Sequence, residues 1–492
     1  MNIFHLTLLS SFVVVPLLML VVLFLCRNAR QARTVMVIGS SILLMLAMVL
    51  TLLFVRERAV SNAPMLFVSD LVWYAPLNIH YSIGVDGIST LMLLLSAIIV
   101  FAAVFSSWQM NRDYFLWFCL LIIGAFGFFI STDLFTMFMF YETALIPMYL
   151  LVGIWGTGKK EYAAMKLALM LMGASALLLM GILGIYYTSG AKTMNVQTLI
   201  DMNIPLMHQY WIFPLIFIGF GTLCALFPFH TWSPDGYASA PSAVSMLHAG
   251  LLKKLGAYGC FRVAICLMPQ GAHELSWIFI TLAATGVVYG AFCAVRQTDL
   301  KYINAYSSVS HCGLILFAIM MLNETAMKGA VLQMLSHGLM AALFFAVIGM
   351  IYSRTHTRQL NEMSGLMKVI PFLSIIYIIA GFASLGLPGL SGFVAEMNIF
   401  VGAFEHDDIF RRVLTIAATG SIVITAVYIL QAVGKIFYGS VTNEKHRQLP
   451  DAFWYDKVST LILLAGVILI GLAPFLVSGI IEDGLSVFQL RI

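Results

Sequence analysis

The sequence predicts an all-α polytopic membrane protein of about fourteen transmembrane helices, built on two inverted five-helix repeats with a broken helix in each. Three observations carry this. Of 492 residues, 61% are hydrophobic and 10% charged, against about 25% charged in soluble domains, which excludes an ordinary soluble fold. The apolar residues fall into successive runs long enough to cross a hydrocarbon core of about 30 Å. Two of these runs are interrupted by proline within or beside Gly- and Ser-containing sequence, at Pro228 and Pro388. A matched pair of interrupted helices marks an inverted repeat with sites near the bilayer midplane, a topology used by ion transporters.

The first run, near 3–26, has the look of a secretory leader. It is longer than a leader's apolar region and lacks a small-residue cleavage site, so it is expected to stay as a span. The second lies near 34–55, after the basic loop Arg27–Arg33. A polar-to-amphipathic loop over 56–85 then leads through Gly84-Val85-Asp86-Gly87-Ile88-Ser89 to the third, near 88–108. Further spans are expected near 114–130, 133–156, 162–187 and 210–229. The eighth begins near Pro241, and the ninth to eleventh cover about 275–295, 302–321 and 328–352. The twelfth, 370–404, is interrupted at Gly386-Leu387-Pro388-Gly389-Leu390-Ser391-Gly392, and the last two lie near 413–438 and 458–480. Helices four to eight and nine to thirteen each make an odd number of crossings, so the two units must be inverted. The chain therefore divides into 1–110, 111–267, 268–440 and 441–492, with no room for a soluble domain.

Loop charge sets the expected orientation. Arg27/Arg30/Arg33, Arg112, Lys159/Lys160, Arg296/Lys301, Arg354/Arg358/Lys368 and Lys445/Arg447/Lys457 fall on one side. That is about fourteen basic residues against about seven opposite, which makes this side cytoplasmic and turns both termini outward. The net charge of +4 belongs to loops and gives no reason to expect nucleic-acid binding. Seven cysteines, none in a C-x-x-C pair, indicate neither an iron–sulfur cluster nor a zinc site. Gly153–Lys159 has the outline of a Walker A loop, but Lys160 replaces the hydroxyl residue and no strand precedes it. It reads as a helix end. Any redox chemistry in which the protein takes part is expected to keep its electrons on other chains.

The chemistry is expected around Phe227–Gly259. Pro228 and a polar corner, His230-Thr231-Trp232-Ser233-Pro234-Asp235-Gly236, interrupt one apolar helix. Pro241 suits the first turn of the next, which carries His248, Lys253 and Lys254 into the bilayer. Lys254 follows Pro241 by about 13 residues, or roughly 20 Å, well inside the hydrocarbon. An ammonium there costs on the order of 3 kcal/mol and marks a functional candidate, the alternative being a lysine paired to backbone for packing. Glu142 lies near the middle of the fifth run, and Glu396 just beyond the break in the twelfth. His311 and His337 occupy apolar helices between them; singly, each is as compatible with packing as with function. Carboxylate, amine and imidazole in alternation are what a proton relay needs, because burial brings the carboxyl and amine pKa values toward each other.

With these residues in hand, the sequence resembles the antiporter-like membrane subunits of respiratory complex I, the proton-translocating NADH:quinone oxidoreductase, specifically the chain M or subunit 4 type. The matching segments are Phe140-Tyr141-Glu142 through Pro147-Met148-Tyr149 to Gly153-Ile154-Trp155-Gly156, His230 through Asp235, Ala240-Pro241 and Gly250 through Gly259. They continue with Gln297 through Lys301, Ala305 through His311, and Leu387 through Glu396, so the likeness covers nearly the whole chain. The chain-L relatives carry in addition a long lateral helix and a further span, which this sequence lacks.

The resemblance implies that Glu142, Lys254 and Glu396 are the charged residues of the fifth, eighth and twelfth helices, and His311 and His337 the central histidines. It implies that Lys166 is a sixth-helix lysine and that Pro228 and Pro388 mark the helix breaks. It also implies a bacterial inner-membrane location, partner membrane subunits including related antiporter-like ones, and NADH, FMN, iron–sulfur clusters and quinone on partner chains. One departure stands out: the family's seventh-helix lysine, seven residues before the His-x-Trp, is Leu223 here. Lys253 is then expected to turn toward the fifth and seventh helices and partner Glu142, with His248 as second choice, while Lys254 faces His311. The alternative readings are a subunit of an Mrp-type Na⁺/H⁺ antiporter, or of a membrane-bound hydrogenase or ferredoxin-linked complex.

Overall fold

The computed structural model describes residues 3–489 apart from 191 and 203. Apolar runs become helices, as expected. The chain opens with α1 (Ile3–Leu25) and α2 (Ala29–Arg58), then a hairpin of β1 (Leu66–Tyr74) and β2 (Ile79–Val85). Next come α3 (Gly87–Ser106), α4 (Arg112–Ile130), α5 (Leu134–Trp155), α6 (Lys160–Thr188) and the short α7 (Val196–Asp201). The first broken helix is α8 (Leu206–Leu223) with α9 (Trp232–Ser239). The eighth expected span is continuous through α10 (Ser242–Leu247), a π-helical stretch His248–Leu252, α11 (Lys253–Gly259) and a second π-helical stretch Cys260–Ile265. Then follow α12 (Pro269–Val295), α13 (Leu300–Met320) and α14 (Glu324–Thr355). The second broken helix is α15 (Pro371–Ser384) with α16 (Ser391–Phe404), and the chain ends on α17 (Ile409–Phe437), α18 (Trp454–Leu472) and α19 (Phe475–Gln489).

Among the described residues, 12 helices are long and apolar enough to cross a membrane. The two halves of the second break, and the pieces of the 242–265 helix, fall outside that number because each is short on its own. Many helices start where an Asp or Asn side chain accepts an otherwise orphaned backbone N–H, as Asn28, Asn111, Asp133, Asp299, Asn323 and Asp408 do. Asp86 and Ser89 close a reciprocal capping box at the start of α3.

Two features depart from the sequence reading. The 56–85 loop holds an antiparallel hairpin, with Asp70 opposite Ser82 and Val72 opposite His80. Tyr74 stands opposite Ile79 and Leu71 opposite Tyr81, and Asn78 turns the chain at φ 51°. The last expected span, 458–480, is shorter than expected: α18 stops at Leu472, and a separate amphipathic helix, α19, starts at Phe475 and docks by Arg58–Asp483 and Lys328–Glu482 ion pairs.

Burial is uneven. In α13 and α14, 94% of the spanning window is covered by other elements, whereas in α1 it is 28%. The centre of the molecule is therefore α13, α14 and the 242–265 helix, and polar side chains on these elements face protein, not lipid. Gly250 and Gly338 bring the 242–265 helix and α14 together backbone to backbone: a Cβ on either would meet the other's carbonyl oxygen at 3.1 Å. That contact brings Lys254, one turn beyond Gly250, within reach of His337, which immediately precedes Gly338.

Candidate functional site: a buried Lys–His–His–Glu line

Lys254 Nζ donates to the Ala249 carbonyl and to His337 Nδ1, both at 2.7 Å. The His337 and His311 rings follow, centroids 5.6 Å apart. His311 Nδ1 lies 3.0 Å from Gln333 Nε2 and 3.7 Å from Glu396 Oε1, and its Nε2 is 3.1 Å from Ser384 Oγ. All four ionisable groups are buried. Amine, imidazole, imidazole and carboxyl thus stand in one line from α11 through α14 and α13 to α16. Lys254 reaches His311 only through His337, so the expected direct facing is replaced by a two-imidazole connection.

The second break holds the far end of this line. Leu385–Leu390 joins α15 to α16 without helical bonding through Pro388, and Gly386 takes φ +66°. A Cβ there would meet Glu396 Oε2 at 2.6 Å, so the carboxylate sits in the space that glycine leaves. Beside it, Ser310, Ser384, Ser421 and Thr425 line a cavity of about 10 Å³, the size of one water.

The first break is built differently. Cys224–Thr231 carries Pro228, and Trp232 Nε1 donates at 3.0 Å to the Thr222 carbonyl, which also accepts the Ala225 N–H. Asp235, just inside α9, joins Lys166 Nζ at 2.7 Å and Tyr302 OH at 3.0 Å. Lys166 therefore belongs to the first break, not to the carboxylate of α5. His248 is fully buried between Trp232 and Tyr237, ring centroids 5.3 and 4.8 Å away. Among the described residues, neither of its nitrogens has a hydrogen-bond partner, nor does His230 Nδ1.

Glu142 stands apart. It is half-buried, and among the described residues its Oε1 has no hydrogen-bond partner. Met139 and Ile146, one turn to either side on α5, are 39% and 58% exposed, so the carboxyl lies near the outer edge of this chain. The expected Lys253–Glu142 pair is not formed. Lys253 Nζ donates to Ser308 Oγ at 3.1 Å and sits 4.8 Å from the Tyr237 ring centre, on the side of α13. The 100° between adjacent helical residues does separate the two lysines, but it turns Lys253 toward α13 and α9 and away from α5. Leu223 fills its position as packing, fully buried, 3.1 Å from where a Cβ on Gly256 would stand.

Sequence reading also passed over Arg262. Its guanidinium lies 3.1 Å from Asp86 Oδ2, with both side chains nearly inaccessible. The signal was present, a charge in an apolar helix and an acid in Gly84–Ser89, but nothing in the spacing links positions this far apart.

This geometry invites comparison with known proteins. The family described as NADH:quinone oxidoreductase/Mrp antiporter, TM, matches residues 131–425, which hold both breaks and every member of the line. The chain belongs to this family. NADH-quinone oxidoreductase subunit M of Rickettsia conorii is 30% identical over 477 residues, 96% of each chain. NAD(P)H-quinone oxidoreductase chain 4 3 of Picosynechococcus sp. is 38% identical over 373 residues, 74% of this chain and 68% of that protein. A chain in the structure titled respiratory complex I from Thermus thermophilus with bound NADH superposes with TM-score 0.89 at 25% identity, covering 98% of this chain and 99% of that one. Within the family, this chain is of the subunit M, or chain 4, type.

Proposed function

We infer that the chain is a proton-translocating membrane subunit of a respiratory NADH:quinone oxidoreductase, in which quinone reduction elsewhere in the complex drives proton transfer along Lys254–His337–His311–Glu396. The observation that carries this reading is the unbroken sequence of buried exchangeable groups between the 242–265 helix and the second helix break. The groups are close and poorly screened, so a proton shift at one end changes the electrostatic cost of a charge at the next. Gln333 and Ser384 hold the His311 ring, and the single-water cavity at Glu396 offers a way onward along α17. Glu142 at the outer edge is placed for exchange with a neighbouring membrane subunit, and Lys166–Asp235–Tyr302 guards the first break.

The reading extends to fourteen crossings, counting the 242–265 helix and the second broken helix as one each, in inverted units 111–267 and 268–440. It includes a bacterial inner membrane with both termini outward, and redox cofactors on partner subunits, supported by cysteine spacing that suits no cluster. The test is the purified complex in proteoliposomes. Glu396→Gln and Lys254→Met are expected to leave assembly intact and to lower proton uptake per quinone reduced, at least about tenfold in rate as for loss of a proton-transfer group. Glu142→Gln should act the same way if that carboxyl exchanges protons with the neighbour. Wild-type uptake in assembled Glu396→Gln would overturn the assignment.

A further inference from the structure

The walls of the cavity beside Glu396 offer hydrogen-bond acceptors and almost no donors. Ser310 Oγ donates to the Val287 carbonyl at 2.7 Å, Ser421 Oγ to the Ala418 carbonyl at 2.6 Å, and Thr425 Oγ1 to the Ser421 carbonyl at 3.0 Å. A hydroxyl has one hydrogen. With those hydrogens committed to backbone, the three side chains have oxygen lone pairs left to offer the cavity they line. Ser384 is the exception on this wall, since its Oγ lies 3.1 Å from His311 Nε2. Glu396 adds a carboxylate that is only 7% exposed. His311 Nδ1, at 3.7 Å, is beyond hydrogen-bond reach of it, and among the described residues Glu396 accepts no hydrogen bond.

Water would meet such walls with two hydrogens and turn its own lone pairs toward other oxygens. A small cation meets them with charge alone. The volume, about 10 Å³, admits one ion without a hydration shell. Carboxylate and hydroxyl oxygens are hard ligands, suited to hard cations and not to copper or zinc. One carboxylate neutralises one charge, so a divalent ion would leave net positive charge buried among spanning helices, a cost that a monovalent ion does not carry. Na⁺ is smaller than a water molecule. K⁺ is about as large as one, and gathers more oxygens than three hydroxyls and one carboxylate provide.

On the proton-translocating reading of the chain, we propose that this cavity is a Na⁺ site, in which Ser310, Ser421, Thr425 and ionised Glu396 coordinate one ion in place of the Glu396 proton. The exchange balances: the carboxyl O–H bond breaks, the proton leaves to the medium and Na⁺ enters, so the cavity is neutral before and after. Glu396 thus takes either of two monovalent cations, and Na⁺ competes with the proton that arrives from His311.

The experiment uses the intact purified complex, prepared free of Na⁺ and held at the pH where Glu396 is half-protonated. NaCl is titrated in and followed by infrared difference spectroscopy, with Glu396→Gln assigning the bands. In wild type, Na⁺ is expected to convert the protonated-carboxyl band of Glu396 to carboxylate bands and to release protons, whereas KCl at the same concentrations leaves the band in place. Ser421→Ala and Thr425→Val each remove one ligand oxygen, and each is expected to raise the Na⁺ concentration for half conversion at least about tenfold. An unshifted midpoint in both assembled variants would overturn the site. So would the absence of any Na⁺-dependent change at Glu396, or the same change with K⁺, and these two outcomes are read in wild type even if neither cavity variant assembles. Failure of the underlying reading looks different, because Glu396→Gln would then take up protons normally whether or not Na⁺ binds.

Discussion

Gly386 shows how a single residue can hold a charge in the middle of a membrane. Its φ of +66° is in the left-handed region, and its missing Cβ is where Glu396 Oε2 stands. An L-residue in that conformation costs about 1–2 kcal/mol before any clash, and here the Cβ would also overlap the carboxylate. Gly386→Ala is therefore expected to lower the thermal stability of the assembled complex and to displace Glu396 from His311, depressing proton uptake as Glu396→Gln does. Thermal denaturation and uptake, measured on the same preparation, check it. Wild-type values for both would mean that the break does not position the carboxyl. Residues of this kind were legible in the sequence as identities but not as partners. Glu396, His311, His337 and Lys254 were found because charge in an apolar helix is expensive wherever it occurs. Which of them touch depends on the Gly250–Gly338 approach, and no spacing along the chain encodes that. Lys253 failed for the same reason: helical geometry gave its angle to Lys254, but not which helix lay in that direction.

At the scale of elements, the helices were legible because a long apolar run has few alternatives in a bilayer. The hairpin was not, since its polar and aromatic residues lie outside the spanning helices, where β1 and β2 satisfy each other's backbone and α19 covers the start of α3. A Cβ on Gly87 would strike the Ile480 carbonyl at 1.9 Å, which shows how closely α19 sits there. The same corner holds the Asp86–Arg262 pair, linking the cap of α3 to the π-helical end of the 242–265 helix at 3.1 Å. Removing one member of such a pair leaves the other charged and buried, a loss of about 3–5 kcal/mol. Asp86→Asn preserves a side chain able to cap but not the charge, so it is expected to lower the melting temperature of the complex markedly. Asp86→Asn combined with Arg262→Met should recover most of that loss. A double variant no more stable than the single would show that Asp86 matters through its capping box alone.

At the scale of the whole molecule, the buried line runs across the centre of the bundle, while Glu142, apart from it, approaches the outer surface. That arrangement suits a subunit that passes charge sideways to neighbours as well as across the membrane, and its direction depends on which face is cytoplasmic. On the proposed orientation the face carrying Arg27–Arg33, Lys159/Lys160 and Arg354/Arg358 is cytoplasmic, because basic loops near span ends are retained on that side. The α5–α6 connection is the place to test this. Gly158 takes φ +66° and would be strained by a side chain, whereas Lys159 is exposed and makes no capping hydrogen bond. In a background whose native cysteines are mostly buried, Lys159→Cys is expected to react with a membrane-impermeant maleimide in inside-out vesicles and to resist it in intact spheroplasts. Labelling from the outside of spheroplasts would invert the whole assignment. Glu142, Lys254 and Glu396 would keep their depths, but the face from which each is fed would be exchanged.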